Sequence, residues 1–129
     1  GSQPQVIGEL LRSHLLDFIA MDVKAPLAKY ENIVRASVDI ELIKESISAI
    51  LKARIPHEFR TTLVLSQLNA DDIREIAGMI NGAKRYVLQK FMSTKTLDKK
   101  FIGETAWPDE ELQAIKKDLE KGITSVIIR

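Results

Sequence analysis

The chain has 129 residues, of which 45% are hydrophobic and 29% charged, and its formal net charge is +1. These values are typical of one folded domain spanning residues 1–129, and they give no overall attraction for nucleic acid or an anionic membrane. Because no apolar run approaches the roughly 20 residues that cross a bilayer and no secretory leader pattern opens the chain, we expect a cytoplasmic protein with neither partner.

The first half of the chain alternates between helix-like and strand-like patterns. Apolar residues at helical spacing predict an amphipathic helix over 4–16, and a nearly continuous apolar run predicts a buried strand over 17–23. The clearest helix follows, with an apolar stripe from Ile40 to Ile55 and Asp39 as its N-cap. This order is typical of a parallel sheet.

The alternation continues beyond the middle of the chain. β-branched and aromatic residues predict a second strand over 58–65. A helix is predicted after Asn69, with acidic residues in its first turn and Asn81-Gly82 as its stop. A third strand is predicted over 85–91.

The last segment holds a long loop, a helix and a strand. Residues 92–107 have no clear period and predict a loop, while Pro108 suits the first helical position of the helix that follows. A last strand is predicted over 123–128. The resulting α-β-α-β-α-β-α-β order predicts an α/β fold with about four parallel strands, too few to close a (β/α) barrel of about eight.

Polar residues near the carboxyl ends of these strands are the candidate ligand contacts. Asp22 and Lys24 share one face of the first strand, Arg60 and Thr62 share one face of the second, and Gln89 lies within the third. An acid, two cations and an amide suit an amino-acid-like or nucleoside ligand with a carboxylate and hydroxyls. The residues also suit an internal ion pair of Asp22 with Lys24 or Arg60, because buried charges need partners whether or not they bind a ligand.

Other candidate sites have less support. The sequence has no cysteine, which excludes an iron–sulfur cluster held by this chain alone. It also has no glycine-rich fingerprint of a nucleotide-binding loop. Lys95, Lys99 and Lys100 are more typical of a solvated loop than of a phosphate site. We therefore expect no metal site and no nucleophile-and-base pair in this chain.

Three segments resemble the radical S-adenosylmethionine activating enzymes. The segment DFIAMDVKAPL (residues 17–27) resembles the family's D-Y-I-A-M-D-[VI]-K-x-P motif, and FRTTLV (59–64) and YVLQKF (86–91) are similar to two later segments. The most similar members are the anaerobic ribonucleoside-triphosphate reductase activating proteins, which themselves resemble the pyruvate formate-lyase activating enzyme. The resemblance covers nearly the whole chain.

The resemblance implies a particular fold. Family members form a six-stranded partial (β/α) barrel of the TIM type, whose first loop holds a [4Fe-4S] cluster through a C-x-x-x-C-x-x-C motif. That motif and the strands before residue 1 are absent. The chain is therefore expected to be the C-terminal half of such an enzyme, without the cluster-binding half.

The resemblance also implies roles for the candidate residues. Asp22 and Lys24 would contact the ribose and methionyl portions of S-adenosylmethionine, with Arg60 beside them. Gln89 falls where relatives place a ligand-contacting residue that is His in some of them. The complete enzyme would cleave S-adenosylmethionine and abstract a glycine hydrogen from a glycyl-radical enzyme such as anaerobic ribonucleotide reductase.

For this chain alone, we expect no catalysis and no bound cofactor, because the thiolates that hold the cluster are missing. We also expect a homodimer, because an incomplete barrel exposes a strand edge and the inner face of the sheet. The alternative is a free-standing, non-catalytic α/β ligand-binding or structural domain.

Overall fold

Helices and strands alternate along the chain in the computed structural model, which describes residues 1–92 and 99–129. The α-helices are α1 (Pro4–Arg12), α2 (Tyr30–Val34), α3 (Ile40–Lys52), α4 (Ala70–Met79) and α5 (Asp109–Leu119). The strands are β1 (Ile19–Asp22), β2 (His57–Leu63), β3 (Tyr86–Lys90) and β4 (Val126–Ile128). Single 3-10 turns occur at Leu27–Lys29 and Lys99–Phe101.

The four strands form one parallel sheet in the order β1-β2-β3-β4. Asp22 of β1 lies opposite Arg60 of β2, and Thr62 of β2 lies opposite Gln89 of β3. The strand order never reverses, which is the arrangement of a segment of a (β/α) barrel and not of a doubly wound sheet. The predicted α/β class and sheet are confirmed.

One face of the sheet packs against α3, α4 and α5 and forms the hydrophobic core. The strand residues in this core include Met21, Phe59, Leu63, Tyr86, Leu88 and Val126, and the helix residues include Ile43, Ile47, Ile73, Ile76, Leu112 and Ile115. Because side chains alternate along a strand, the other face carries Asp22, Arg60, Thr62 and Gln89. The polar candidate residues therefore lie on the face opposite the helices.

The predicted helix caps explain where the two central helices begin. The Asp39 carboxylate accepts a hydrogen bond from the Glu41 backbone N–H at the start of α3. At the start of α4, Asn69 and Asp72 form a reciprocal capping box. Such caps satisfy backbone donors that have no partner within the helix.

Two predictions about the elements were wrong, and one short helix was missed. Helix α1 ends at Arg12 and not at residue 16, because His14 adopts a left-handed backbone with φ of 53°. Pro108 is not the first helical residue but the N-cap: its backbone is extended and its carbonyl accepts a hydrogen bond from Leu112. Helix α2 was missed, since its five residues are too few to show a helical period.

Part of the predicted loop 92–107 lies outside the described residues. Lys95 of the lysine cluster is in that part. Its described part contains the 3-10 turn Lys99–Phe101 and the buried Trp107, which packs into the core. Within the described ranges, the chain forms no helix long and apolar enough to cross a membrane.

Candidate functional site

Asp22, Lys24 and Arg60 meet at the carboxyl end of β1. The Lys24 ammonium donates a hydrogen bond of 2.8 Å to one carboxylate oxygen of Asp22, and Arg60 Nε donates one of 2.7 Å to the other. The parallel register causes this contact, because it places Arg60 directly opposite Asp22. The three side chains remain 35%, 44% and 34% exposed, respectively, so a ligand can reach them.

The two cations keep the Asp22 carboxylate ionised. Partial burial raises the pKa of Asp22, but the hydrogen bonds from Lys24 and Arg60, together with their charges, outweigh burial and lower that pKa below its ordinary value. At neutral pH, Asp22 is therefore an acceptor of hydrogen bonds and not a general acid. Such a carboxylate suits the hydroxyls of a ribose or an ammonium group.

The internal ion pair that the sequence left open is present, and Asp22 pairs with both cations. This pairing does not use the full donor capacity of the site. A lysine ammonium has three N–H donors and an arginine guanidinium has five, whereas Asp22 engages one of each. The same cations can thus hold Asp22 and also donate to a ligand carboxylate.

A pocket of about 570 Å³ opens beside these three residues. It runs along β1 and is bounded by α1, α2 and α3, and its lining includes Ser2, Ile7, Val34 and Ile43 in addition to Asp22, Lys24 and Arg60. This volume and the mixture of an apolar wall with a few convergent charged groups are typical of small-molecule sites.

Tyr30 lines the same pocket and was not among the candidate residues. It is the first residue of α2 and is buried. Burial raises the pKa of the Tyr30 phenol, and the negative charge of Asp22 raises it further, so the phenol stays protonated at neutral pH. Tyr30 lies three residues after the family-like segment 17–27, but its position in the pocket depends on α2, which has no periodic signal of its own.

Gln89 lies on the same face as Arg60 but farther from β1. It is half-buried opposite Thr62, which is exposed, and neither residue is among the described residues that line the pocket. The structure therefore brings together Asp22, Lys24 and Arg60 and leaves Gln89 outside the group. A ligand contact by Gln89 stays a prediction.

Phe101, in the described part of the segment after β3, contacts residues that are distant in the chain. The Arg35 guanidinium lies 6.0 Å from the centre of the Phe101 ring, and Phe101 contacts Phe91 edge-to-face at 5.8 Å. Farther along the loop, Glu104 accepts a hydrogen bond of 2.9 Å from the Ser66 backbone N–H. Sequence reasoning missed these contacts because they join residues distant in the chain.

The site suits an organic ligand better than a metal. Among the described residues, no three His, Asp or Glu side chains are placed to hold a metal ion, and the full sequence has no thiolate for an iron–sulfur cluster. A carboxylate between two cations instead fits the hydroxyls and the carboxylate of an amino-acid-bearing nucleoside. The chain alone has no cysteine to hold an iron–sulfur cluster.

Comparison with known proteins gives one informative similarity. No family model matches the chain. A protein of Methanocaldococcus jannaschii named "Putative glycyl-radical enzyme activating enzyme" is 33% identical over an alignment of 133 positions, which includes 100% of this chain and 55% of the relative. The chain spans about half the length of this curated relative. Over its whole length, the chain is thus homologous to part of a protein named as an activating enzyme of glycyl-radical enzymes.

Proposed function

We propose that the chain is part of a radical S-adenosylmethionine enzyme that activates a glycyl-radical enzyme, of the anaerobic ribonucleotide reductase activating type. The observation that carries the proposal is the cluster of Asp22, Lys24 and Arg60 on a ligand-sized pocket. The similarity to the activating enzyme along the whole chain supports it. The proposed contribution of this chain is one side of the S-adenosylmethionine site.

The proposed roles follow from the chemistry of each side chain. The ionised carboxylate of Asp22 accepts hydrogen bonds from the ribose hydroxyls, and Lys24 and Arg60 donate to the carboxylate of the methionyl portion. Reductive cleavage of the cofactor needs an electron, and the cluster that supplies it must be held by residues outside this chain, because this chain has no thiolate. The residues of this chain bind and orient the cofactor.

The partner in this proposal is a glycyl-radical enzyme such as anaerobic ribonucleotide reductase. The name of the M. jannaschii relative supports this class of partner. The resemblance of residues 17–27 to the reductase-activating proteins supports the narrower assignment.

The proposal is tested by cofactor binding in two proteins. The isolated chain should bind S-adenosylmethionine at millimolar concentration or not at all, because it lacks the cluster and the contacts of the remaining barrel; each hydrogen bond lost weakens binding by roughly 1 to 3 kcal/mol. A longer protein that adds a reconstituted cluster-binding segment should bind in the micromolar range by calorimetry.

A lysine substitution locates the site within that longer protein. Lys24→Ala should weaken binding about tenfold or more, because it removes a charged donor. Lys44→Ala is the matched control, since Lys44 also forms an exposed ion pair, with Glu41 at 2.7 Å, but lies on α3 outside this pocket. Equal affinity of the Lys24→Ala variant and the unchanged protein would show that the site is assigned wrongly.

The alternative is a free-standing, non-catalytic ligand-binding domain, which the lack of cysteine in this chain favours. The reading frame upstream of residue 1 separates the two functions. A C-x-x-x-C-x-x-C motif there supports the activating enzyme, whereas a reading frame that starts without it supports the alternative.

A further inference from the structure

Two buried hydroxyl groups form a chain of hydrogen bonds that ends at the candidate site. Tyr86 Oη on β3 donates to Thr61 Oγ1 on β2 at 2.8 Å, and Thr61 Oγ1 donates to the Val23 carbonyl at 2.8 Å. All three residues are at most 1% exposed. The chain of hydrogen bonds therefore crosses from the third strand to the segment just after the first.

Val23 stands between the two site residues Asp22 and Lys24. Its N–H donates to the Arg60 carbonyl at 2.8 Å, and its carbonyl accepts from Thr61. Both backbone polar groups of Val23 are thus held by β2, although β1 itself ends at Asp22. Because the Val23 carbonyl belongs to the peptide that leads into Lys24, its hydrogen bond sets the direction in which Lys24 leaves the sheet.

Packing alone does not require these hydroxyls. Valine at position 61 and phenylalanine at position 86 would fill nearly the same volumes, and a buried hydroxyl is costly unless it is hydrogen-bonded. Burial also raises the pKa of the Tyr86 phenol, which keeps it protonated and able to donate. The two hydroxyls are therefore best explained by the backbone that they hold.

We propose that Thr61 and Tyr86 are positioning residues that fix the Val23–Lys24 peptide so that the side chains of Asp22 and Lys24 reach the pocket together. The use of this arrangement for S-adenosylmethionine rests on the proposed function. The arrangement itself is measurable without any ligand, through the ionisation of Asp22, which depends on its contacts with Lys24 and Arg60.

The test measures the pKa of Asp22 by carbon-detected NMR in the 129-residue chain. Thr61→Val removes the donor to Val23 and should raise the pKa of Asp22 from its lowered position, because the contact with Lys24 loosens. Thr61→Ser keeps a hydroxyl and should restore the lowered pKa.

Ser46→Ala is the matched control for loss of a buried hydroxyl. Ser46 is fully buried and donates to the Leu42 carbonyl at 2.8 Å, within α3. This variant should lose stability and leave the pKa of Asp22 unchanged. If Thr61→Val also destabilises the chain without moving the pKa of Asp22, the role of Thr61 is only structural and the proposal is wrong.

Tyr86→Phe decides the question if Thr61→Val does not fold. It keeps every ring contact and removes only the donor to Thr61 Oγ1. We expect a smaller rise in the pKa of Asp22 than Thr61→Val would give. No rise at all in the folded Tyr86→Phe variant would overturn the proposal.

Cofactor affinity in the longer, cluster-bearing protein separates this proposal from the proposed function. Thr61→Val should weaken S-adenosylmethionine binding about threefold to tenfold, the effect of one hydrogen bond. Weaker binding after Lys24→Ala but not after Thr61→Val would reject the positioning role alone. A raised pKa of Asp22 in Thr61→Val, with no effect of Lys24→Ala on affinity, would reject the proposed function and keep the positioning role.

Discussion

The two faces of the sheet use neighbouring residues of the same strands for different purposes. On the helix side, Phe59 and Leu88 are fully buried in the core, whereas on the other side Arg60 and Thr62 remain accessible. Phe59 and Arg60 are adjacent in sequence, and their side chains point to opposite faces of the sheet. A substitution of the buried Phe59 should therefore affect folding, and one of the accessible Arg60 should affect binding.

The largest effect on stability should follow from truncation of a side chain on the helix side. Phe59→Ala should reduce the free energy of unfolding by about 3–5 kcal/mol, because it removes a large side chain that is fully buried. Urea denaturation followed by circular dichroism measures this change. If Phe59→Ala lowers the free energy of unfolding no more than a surface substitution does, the helix side does not carry the stability of the fold.

The β1 edge and the exposed Phe18 beside it should cause self-association of the isolated chain. β1 is an edge strand, its Ala20 is exposed, and the preceding Phe18 is 45% exposed. We propose a two-fold dimer, since exposed strand edges and apolar patches favour pairing. Light scattering at high micromolar concentration should show it.

Ala20→Lys tests the position of the dimer contact. A charge at this exposed position of β1 should return the chain to a monomer, because edge charges oppose strand pairing. A strict monomer before any substitution would refute the dimer, and a dimer that persists in Ala20→Lys would place the contact elsewhere.

His57, on the helix side, should make the free energy of unfolding moderately dependent on pH. His57 contacts Phe59 edge-to-face, and burial, aided by the charge of Lys84, lowers its pKa below the ordinary value near 6.5. Between the lowered pKa and 6.5, the unfolded state binds more protons, so stability should fall as the pH drops through this window.

His57→Gln tests the origin of this pH dependence. Glutamine can still accept the hydrogen bond that the Lys84 backbone N–H donates to the His57 ring at 3.4 Å, but it does not titrate. The variant should lose less stability than the unchanged chain between pH 7.5 and pH 5 in urea denaturation. If the free energy of unfolding changes equally with pH in both proteins, the pH dependence comes from other groups.

The smallest effect should follow from Thr62→Ala on the accessible face. Thr62 is an exposed residue of β2, so the free energy of unfolding should change by no more than about 0.5 kcal/mol. The same denaturation experiment as for Phe59→Ala measures it. A loss comparable to that of Phe59→Ala would contradict the contrast between the two faces.

The sequence predicted features that are coded locally. The strands and the longer helices follow from hydrophobic periodicity, and the alternation of elements predicts the parallel sheet. The pairing of Asp22 with Arg60 was among the alternatives because both residues were placed on neighbouring parallel strands. The helices and strands themselves can be predicted without knowledge of side chains that are distant in sequence.

The remainder of the site depends on contacts between distant segments. Tyr30 reaches the pocket through a five-residue helix without a periodic pattern, and Arg35 lies over Phe101. Gln89 was predicted only to lie within the third strand, and its lateral distance from β1 could not be read from alternation alone. Thr61 and Tyr86 looked like ordinary strand residues, since nothing in a sequence pattern shows that two hydroxyls meet.

The double contact of Asp22 with Lys24 and Arg60 has a consequence for the entropy of binding. Lysine and arginine side chains each lose roughly 2 kcal/mol of rotamer freedom when they are fixed in one orientation. Here part of that loss occurs when the chain folds, because the carboxylate already holds both cations at 2.7 to 2.8 Å. An incoming ligand therefore meets preorganised cations, and more of its interaction energy remains available as affinity.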